Sequence, residues 1–209
     1  MGGWENDAPQ TPAQLLASTN LVRCHQQMVA MVNAHLSNRT RYQPVLSDVL
    51  EFHRLAMQQI VPTAGRWRIE DVAIRGSKHE PLDFGHVPSA VAAMLETLAA
   101  DFDKKDAVDA AAYLMWQINW IHPFDDGNGR VARVLAFAVL FSRLGRVPVS
   151  QPGQPSFLDR LSWRRLDYID ALEVSDAAYK RGYIDVEIMA QLLFEVVRDS
   201  LLSVDPSRP

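Results

Sequence analysis

Apolar residues recur at helical spacing from the start of the chain. Leu15, Leu16, Leu21, Val22, Met28, Val29, Val32 and Leu36 follow a Pro12 placed for a first helical turn, so a helix is expected to about residue 36. Ser37 to Thr40 then reads as a turn. Ser47 is placed to cap a second helix from Asp48 to about Ile60, with Pro62 as its stop. From Gly65 the period changes. Arg66 to Gly76 alternates as a strand does, between turn residues, and Ser77 to Pro81 follows as an exposed turn. It is the only clear β pattern in the chain and predicts one short hairpin. Helical periodicity returns at Pro88 and runs to about Phe102, with Val91, Met94, Leu95 and Leu98 as its apolar face.

Two segments are apolar nearly all round, Ala107 to Trp120 and Val131 to Leu144, the second ended by Gly145 at a C-cap position. They predict two buried antiparallel helices joined by a short loop. A Pro/Gly/Gln stretch, 148–155, separates them from a helix capped by Ser156 and running to about Val174. A last amphipathic helix spans about Ile184 to Leu202. The fold class expected is all-α, one domain of about seven to eight helices with a single β-hairpin. The division expected is a polar tail and first helix over 1–44, a main domain over 45–203 and a tail over 204–209.

The chemistry-bearing residues lie in the loop between the two apolar helices. It reads His122-Pro-Phe-Asp-Asp-Gly-Asn-Gly-Arg-Val-Ala-Arg133. Gly127 and Gly129 permit positive φ and close approach of a ligand to the backbone. Successive amides there can form an anion-binding concavity, and a helix beginning near Asn128 points its unpaired N–H groups at the same place. Arg130 and Arg133 lie three apart, on one face. Asp126 is a hard oxygen ligand suited to Mg²⁺, which usually reaches a protein through one or two carboxylates plus substrate phosphates. His122 can act as a general base near neutral pH. Together these residues describe a site for phosphate chemistry. A calcium loop would need a Glu at its twelfth position, and no P-loop sequence occurs.

The 209 residues, 48% hydrophobic and 22% charged, suffice for one sizeable core. A formal net charge of −4 gives no bulk attraction to nucleic acid, and no apolar run is long enough to suggest a membrane span. The first residues lack the basic-then-apolar pattern of a signal peptide, so a cytoplasmic setting is expected. The single cysteine, Cys24, excludes an internal disulfide and reads as a small buried side chain. His25, His35 and His53 read as structural or surface residues, His79 as a surface residue of the hairpin, and Trp116 with Trp120 as core.

The pattern His-x-Phe-x-(Asp/Glu)-Gly-Asn-Gly-Arg-x-x-Arg is the signature of Fic proteins, which this chain resembles at every fixed position. The resemblance implies a helical Fic fold that transfers AMP from ATP to a Ser, Thr or Tyr hydroxyl of a target protein. It implies that His122 accepts the hydroxyl proton, that Phe124 packs inward and that Asp126 holds Mg²⁺. Gly127, Asn128 and Gly129 would cradle the phosphates, and Arg130 and Arg133 would pair with the outer ones. In the family a β-hairpin flap holds the target segment in extended form, which is strand addition in physical terms. Ile74, Arg75, Gly76 and Ser77 stand in its place here, with Pro81 after it. Relatives often carry two tyrosines beside the adenine, and here Asp167 precedes the one that remains, Tyr168. That residue is either near the nucleotide or part of the core and helix surface.

Transfer of UMP or of phosphate remains open, although Doc-type relatives that phosphorylate depart from this Gly-Asn-Gly. A nucleotide-binding interaction module without transfer is the alternative of another class. Many Fic proteins are held off by a (Ser/Thr)-x-x-x-Glu-(Gly/Asn) helix whose Glu pairs with the second signature arginine. Only Glu5 is followed by Gly or Asn here, and Met1 stands four before it. The expectation is constitutive activity, or silencing by a separate small antitoxin-like protein that supplies the Glu in trans.

Overall fold

The computed structural model describes residues 11–101, 104–148 and 157–202. Among them are eight α-helices: α1 (Pro12–Ser37), α2 (Leu46–Met57), α3 (Val87–Ala100), α4 (Ala107–Ile121), α5 (Asn128–Leu144), α6 (Phe157–Trp163), α7 (Arg165–Lys180) and α8 (Glu187–Leu202). A single 3₁₀ turn, Phe84–His86, leads into α3. The first helix starts as its sequence suggests, with Thr11 accepting from the Gln14 amide and the Gln14 side chain returning the bond.

The centre of the fold is the α4–α5 pair. Every residue from Ala110 to Ile118 on α4 and from Val134 to Ser142 on α5 is buried. Small residues at Ala110, Ala111, Ala132 and Ala136 allow the two backbones to approach closely, while Trp116, Phe137 and Phe141 fill the volume between them and their neighbours. Helices α1, α2 and α8 surround the pair, α3 lies against α4, and α7 packs on α4 and α8. Burying each Leu, Met or Phe side chain contributes about 1.5–3 kcal/mol, so this pair is firmly held. The α4–α5 loop is therefore carried on a rigid base. Cys24 is buried on α1, as expected, and its thiol faces the Phe52 carbonyl of α2 at 3.7 Å.

Three expectations need correction. Ser47 does not cap α2. The helix begins at Leu46, two residues earlier than expected, and Asp48 ties it down by accepting from the Val45 amide at 3.0 Å and the Tyr42 hydroxyl at 2.9 Å. It also ends at Met57, where Gln58 turns extended and Gln59 takes a positive φ of 61°. The helix expected from 156 to 174 is two. Arg164, at φ −98° and ψ 34°, separates α6 from α7, and α7 continues to Lys180. The proposed Ser156 cap lies outside the described residues.

The third correction is the hairpin. No strand occurs among the described residues, and 66–82 is an irregular strap with one tight turn. There the Ser77 amide donates to Ile74 O at 3.1 Å, and Gly76 takes a φ of 78°. A hairpin needs main-chain groups free to pair across it. Here the Glu70 and Leu82 carbonyls accept from the Arg68 guanidinium, and the Arg68 amide donates away to Pro123 O. The alternation was also misleading in its sign, because Arg68 points into the protein and Ile69 is 75% exposed.

Candidate functional site

The last residue of α4 hands the chain to His122, which sits at φ 52° and ψ 60°, the left-handed region. Its amide closes α4 on Ile118 O at 3.0 Å. Its Nδ1 lies 3.4 Å from Asn119 O, so the tautomer that donates there leaves the Nε2 lone pair free. Burial lowers the pKa of this imidazole below its ordinary value, the Asn119 carbonyl works against that, and the nearby Arg68 and His79 lower it further. At neutral pH the ring is uncharged, the state a general base requires.

The loop that follows is closed on itself. Asn128 is buried, accepts from the Phe124 amide at 2.9 Å and donates to the Phe124 carbonyl at 2.8 Å. Its side chain is therefore a staple, and only its main-chain amide remains for a ligand. Phe124 is fully buried, stacked on His53 at 3.7 Å and against Trp67 at 5.1 Å. His53 is more than a packing residue. Its Nδ1 accepts from the Gly65 amide at 2.9 Å, so its Nε2 carries the proton and donates to Asp126 O at 3.0 Å. Burial lowers its pKa, in keeping with that neutral form.

Gly127 caps α5 from the left-handed region, at φ 84°, and a Cβ there would stand 2.7 Å from Met57 Sδ. Gly129 differs from its expected role. It is helical, and a Cβ on it would meet nothing closer than 3.6 Å. The fold itself has room for a side chain at 129, so the missing Cβ opens the helix end to whatever approaches it. The first amides of α5 have no partner within the helix and face the same opening. Arg130 leans on Met57, its Nη1 2.6 Å from the sulfur. Burial lowers the pKa of Arg133, and the nearby Arg130 adds to this, though a guanidinium stays cationic.

A cavity of about 460 Å³ brings these groups together. His122, Asp126, Gly127, Asn128, Gly129, Arg130 and Arg133 line it, with Ile74 and Arg75 from the strap. A second space of about 170 Å³ shares Ile74, Arg75 and His122 and extends between Gly76, Ser77 and His79 on one side and α7 on the other. A third, of about 400 Å³, begins at Arg133 and runs past Leu21, Leu158, Leu161, Tyr168 and Ile169. Tyr168 thus lines the far side of Arg133 rather than the space beside His122, and its hydroxyl accepts from Asn119 Nδ2 at 2.8 Å.

The carboxylates divide the cation question. Asp125 also lines the cavity, with one oxygen engaged by the Thr63 hydroxyl at 2.8 Å. Asp126 is exposed, with one oxygen on the Gly127 amide at 2.6 Å and the other open to the cavity. No group of three or more His, Cys, Asp or Glu side chains suited to a metal occurs among the described residues. Two carboxylates beside an anion-binding helix end, one of them engaged by Thr63, suit Mg²⁺ carried with phosphates and do not suit a cage built of protein ligands.

Residues 43–140 match the family model of the Fic/DOC family. This chain carries a Fic/DOC domain. A Caenorhabditis briggsae protein named protein adenylyltransferase fic-1 is 26% identical over 171 residues, covering 78% of this chain and 31% of its own length. The Nematostella vectensis protein adenylyltransferase Fic is 30% identical over 140 residues, covering 66% and 32%. This chain therefore spans about a third of the length of these curated relatives. Among solved structures, Caenorhabditis elegans Fic-1 superposes with a TM-score of 0.71 at 19% identity, over 93% of this chain and 52% of that one. A Fic family protein from Desulfovibrio desulfuricans G20 gives 0.68 at 20%, over 94% and 55%. The helical Fic fold is the fold of this chain, without strands in the place of the flap. No helix among the described residues is long and apolar enough to cross a membrane.

Sequence reasoning missed Arg68, Thr63 and the part played by His53, and it put His79 on the surface. His79 is 8% exposed, packs on Trp120 at 4.1 Å and has its Nε2 2.7 Å from Trp120 O. Trp116 is core, as expected, with its indole N–H on Asp176 at 2.8 Å. None of these residues belongs to a motif, and each is defined by a partner far along the chain.

Proposed function

We propose that this chain is a Mg²⁺-dependent protein adenylyltransferase acting on a hydroxyl side chain of a target protein. The observation that carries the reading is the 460 Å³ cavity, where an uncharged imidazole with a free Nε2 faces the open end of α5 and two arginines. A triphosphate lying on the Asn128 and Gly129 amides, over the turn at Gly127, would receive the charge of Arg130 and Arg133 on its outer groups. Asp126 would hold Mg²⁺, which when bound neutralises phosphate charge. The target hydroxyl attacks the α-phosphorus, its proton passes to His122 Nε2, and the bond to the bridging oxygen breaks to release pyrophosphate. Positioning and fixed charge account for most of such catalysis.

The base would enter the space between the strap and α7, beside Ile74 and Ile169. The target segment would lie along Ile74, Arg75, Gly76 and Ser77. Without a ladder the strap offers it the turn's main chain and side chains rather than a preformed strand edge. Silencing by a partner is supported by the surroundings of Arg133. No carboxylate forms a salt bridge with it among the described residues, and a groove of mixed character, lined by Leu21, Leu158 and Leu161 together with Asp159, Ser162 and Arg165, leads to it.

The test is incubation with target proteins and ATP labelled either on the α-phosphate or on the γ-phosphate. Protein-bound label from the α position alone is expected. Label from the γ position alone would make the chain a kinase. ATP binding with no covalent label at any metal tried would leave a nucleotide-binding module. UTP in place of ATP checks the base.

A further inference from the structure

We infer that Arg68 is a positioning residue whose buried guanidinium clamps the carbonyl of His122 and fixes the turn that aims the imidazole at α5. The inference rests on His122 being the base. Arg68 is 2% exposed and sits in the strap rather than in the signature. Its Nε donates to His122 O at 2.8 Å, its Nη1 to Glu70 O at 3.0 Å, and its Nη2 to Leu82 O. Asp71, the one carboxylate beside it, is 3.5 Å away on a side chain 67% exposed. Its main-chain amide donates to Pro123 O at 3.0 Å. Side chain and backbone of one residue thus grip two consecutive carbonyls of the loop. His79, farther along the strap, adds a bond to Trp120 O at 2.7 Å.

The geometry explains why such a clamp is needed. The last carbonyls of α4 have no helical donors, and the negative end of the helix dipole lies among them. His122 must then hold a left-handed conformation that its Cβ disfavours. A cation bonded to its carbonyl meets both demands. A guanidinium can do so because its N–H groups fan out in a plane and reach three carbonyls at once, which a lysine ammonium on a flexible stem does not. The bonds to Glu70 and Leu82 would also serve a residue that only shapes the strap. The bond to His122 O is the one that couples residue 68 to the imidazole.

The experiment uses the full chain without ligand, with histidine ¹³C-labelled, and follows the His122 ring by NMR titration in wild type, Arg68→Lys and Arg68→Gln. The charged groups facing His122 are Arg68 and His79 from the strap and Asp126 from the loop, with Arg75, Asp125, Arg130 and Arg133 around one cavity and Arg165, Glu173 and Asp176 of α7 around the other. All but residue 68 are constant across the series. In Arg68→Gln the ring should titrate at higher pH, because water reaches it and a cation is gone. Its kcat for transfer should fall about 100-fold, with the KM for ATP within about threefold of wild type, since α5 still holds the phosphates. Arg68→Lys should fall between. A folded Arg68→Gln with unchanged titration and unchanged kcat would overturn the inference. Should that variant not fold, the wild type decides. The Arg68 Nε–H must be protected from exchange and scalar-coupled to the His122 carbonyl carbon, and rapid exchange without coupling would overturn the clamp. These NMR readouts need no ATP. A clamp seen in a chain that transfers nothing would sink the proposed function alone. His122-dependent transfer without the clamp would sink the clamp alone.

Discussion

Two glycines two residues apart should respond to alanine in opposite ways. At Gly127 the backbone is left-handed, and a new Cβ would stand 2.7 Å from Met57 Sδ, 2.8 Å from Met57 Cγ and 3.3 Å from His53 Cδ2. The left-handed conformation costs an alanine about 1 kcal/mol relative to glycine, and forcing Met57 aside in a packed site costs roughly 1–3 kcal/mol more. A total near 3 kcal/mol lowers the melting temperature of a chain this size by about 9 °C. Met57 cannot move without disturbing Arg130, whose Nη1 rests on its sulfur at 2.6 Å. Gly127→Ala should therefore weaken both fold and nucleotide binding. At Gly129 the backbone is helical and the nearest neighbours of a Cβ stand at 3.6 and 3.8 Å. Gly129→Ala should keep the melting temperature or raise it, since alanine favours a helix by about 0.5–1 kcal/mol over glycine. Binding should still fall, because the methyl occupies the approach to the α5 amides. Thermal melts by circular dichroism and nucleotide titration by calorimetry measure both quantities. A Gly127→Ala protein melting within 2 °C of wild type (about 0.7 kcal/mol) would refute the steric argument. Wild-type nucleotide affinity in Gly129→Ala would refute the approach argument.

The other predictions concern charge and chemistry. His122→Ala should abolish transfer while ATP binding changes little, and a variant that still transfers at the wild-type rate would remove the base assignment. Asp126→Ala should lose the Mg²⁺ dependence of nucleotide binding, which titrations with and without the metal read directly. His25, His53 and His122 all have pKa values lowered chiefly by burial, from an ordinary 6.5. The unfolded chain then takes up protons first, so stability is full above about pH 6.5 and is lost as pH falls toward the folded values. Melts from pH 7.5 to 5.5 should show this, with a shallower slope in His53→Phe. That variant keeps a ring against Phe124 but should lose about 2 kcal/mol by leaving the Gly65 amide and Asp126 carbonyl without the imidazole. Removing residues 1–10, or Glu5→Gly, should leave self-modification at the rate of the full chain, and a large rise in both would place the brake within this chain.

What the sequence disclosed followed from local period. Two helices apolar on all sides had to be central, and the glycines and arginines between them had to sit at a helix start. The same local reading failed where a distant partner decides. The alternation at 66–76 looked like a strand because Arg68 occupies an inward position, and nothing nearby told that its partners are carbonyls at 82 and 122. His53 looked idle because its contacts come from Gly65 and from Asp126, 73 residues away. Gly129 shows the converse. Its pattern was read as backbone freedom, and the helix it sits in asks for none.

The left-handed turn at His122 also sets a direction for drift. Glycine holds φ 52° and ψ 60° without penalty, and asparagine holds it more readily than other side chains. At this position the residue that suits the backbone is not the residue that suits the chemistry. Selection for thermal stability alone would favour exchanging the imidazole for glycine, and the product would be a firmer chain with an inert loop. Copies released from selection on transfer should lose this histidine early while keeping Asn128 and Phe124. A surviving histidine at the end of α4 therefore marks continued use more reliably than a surviving loop does.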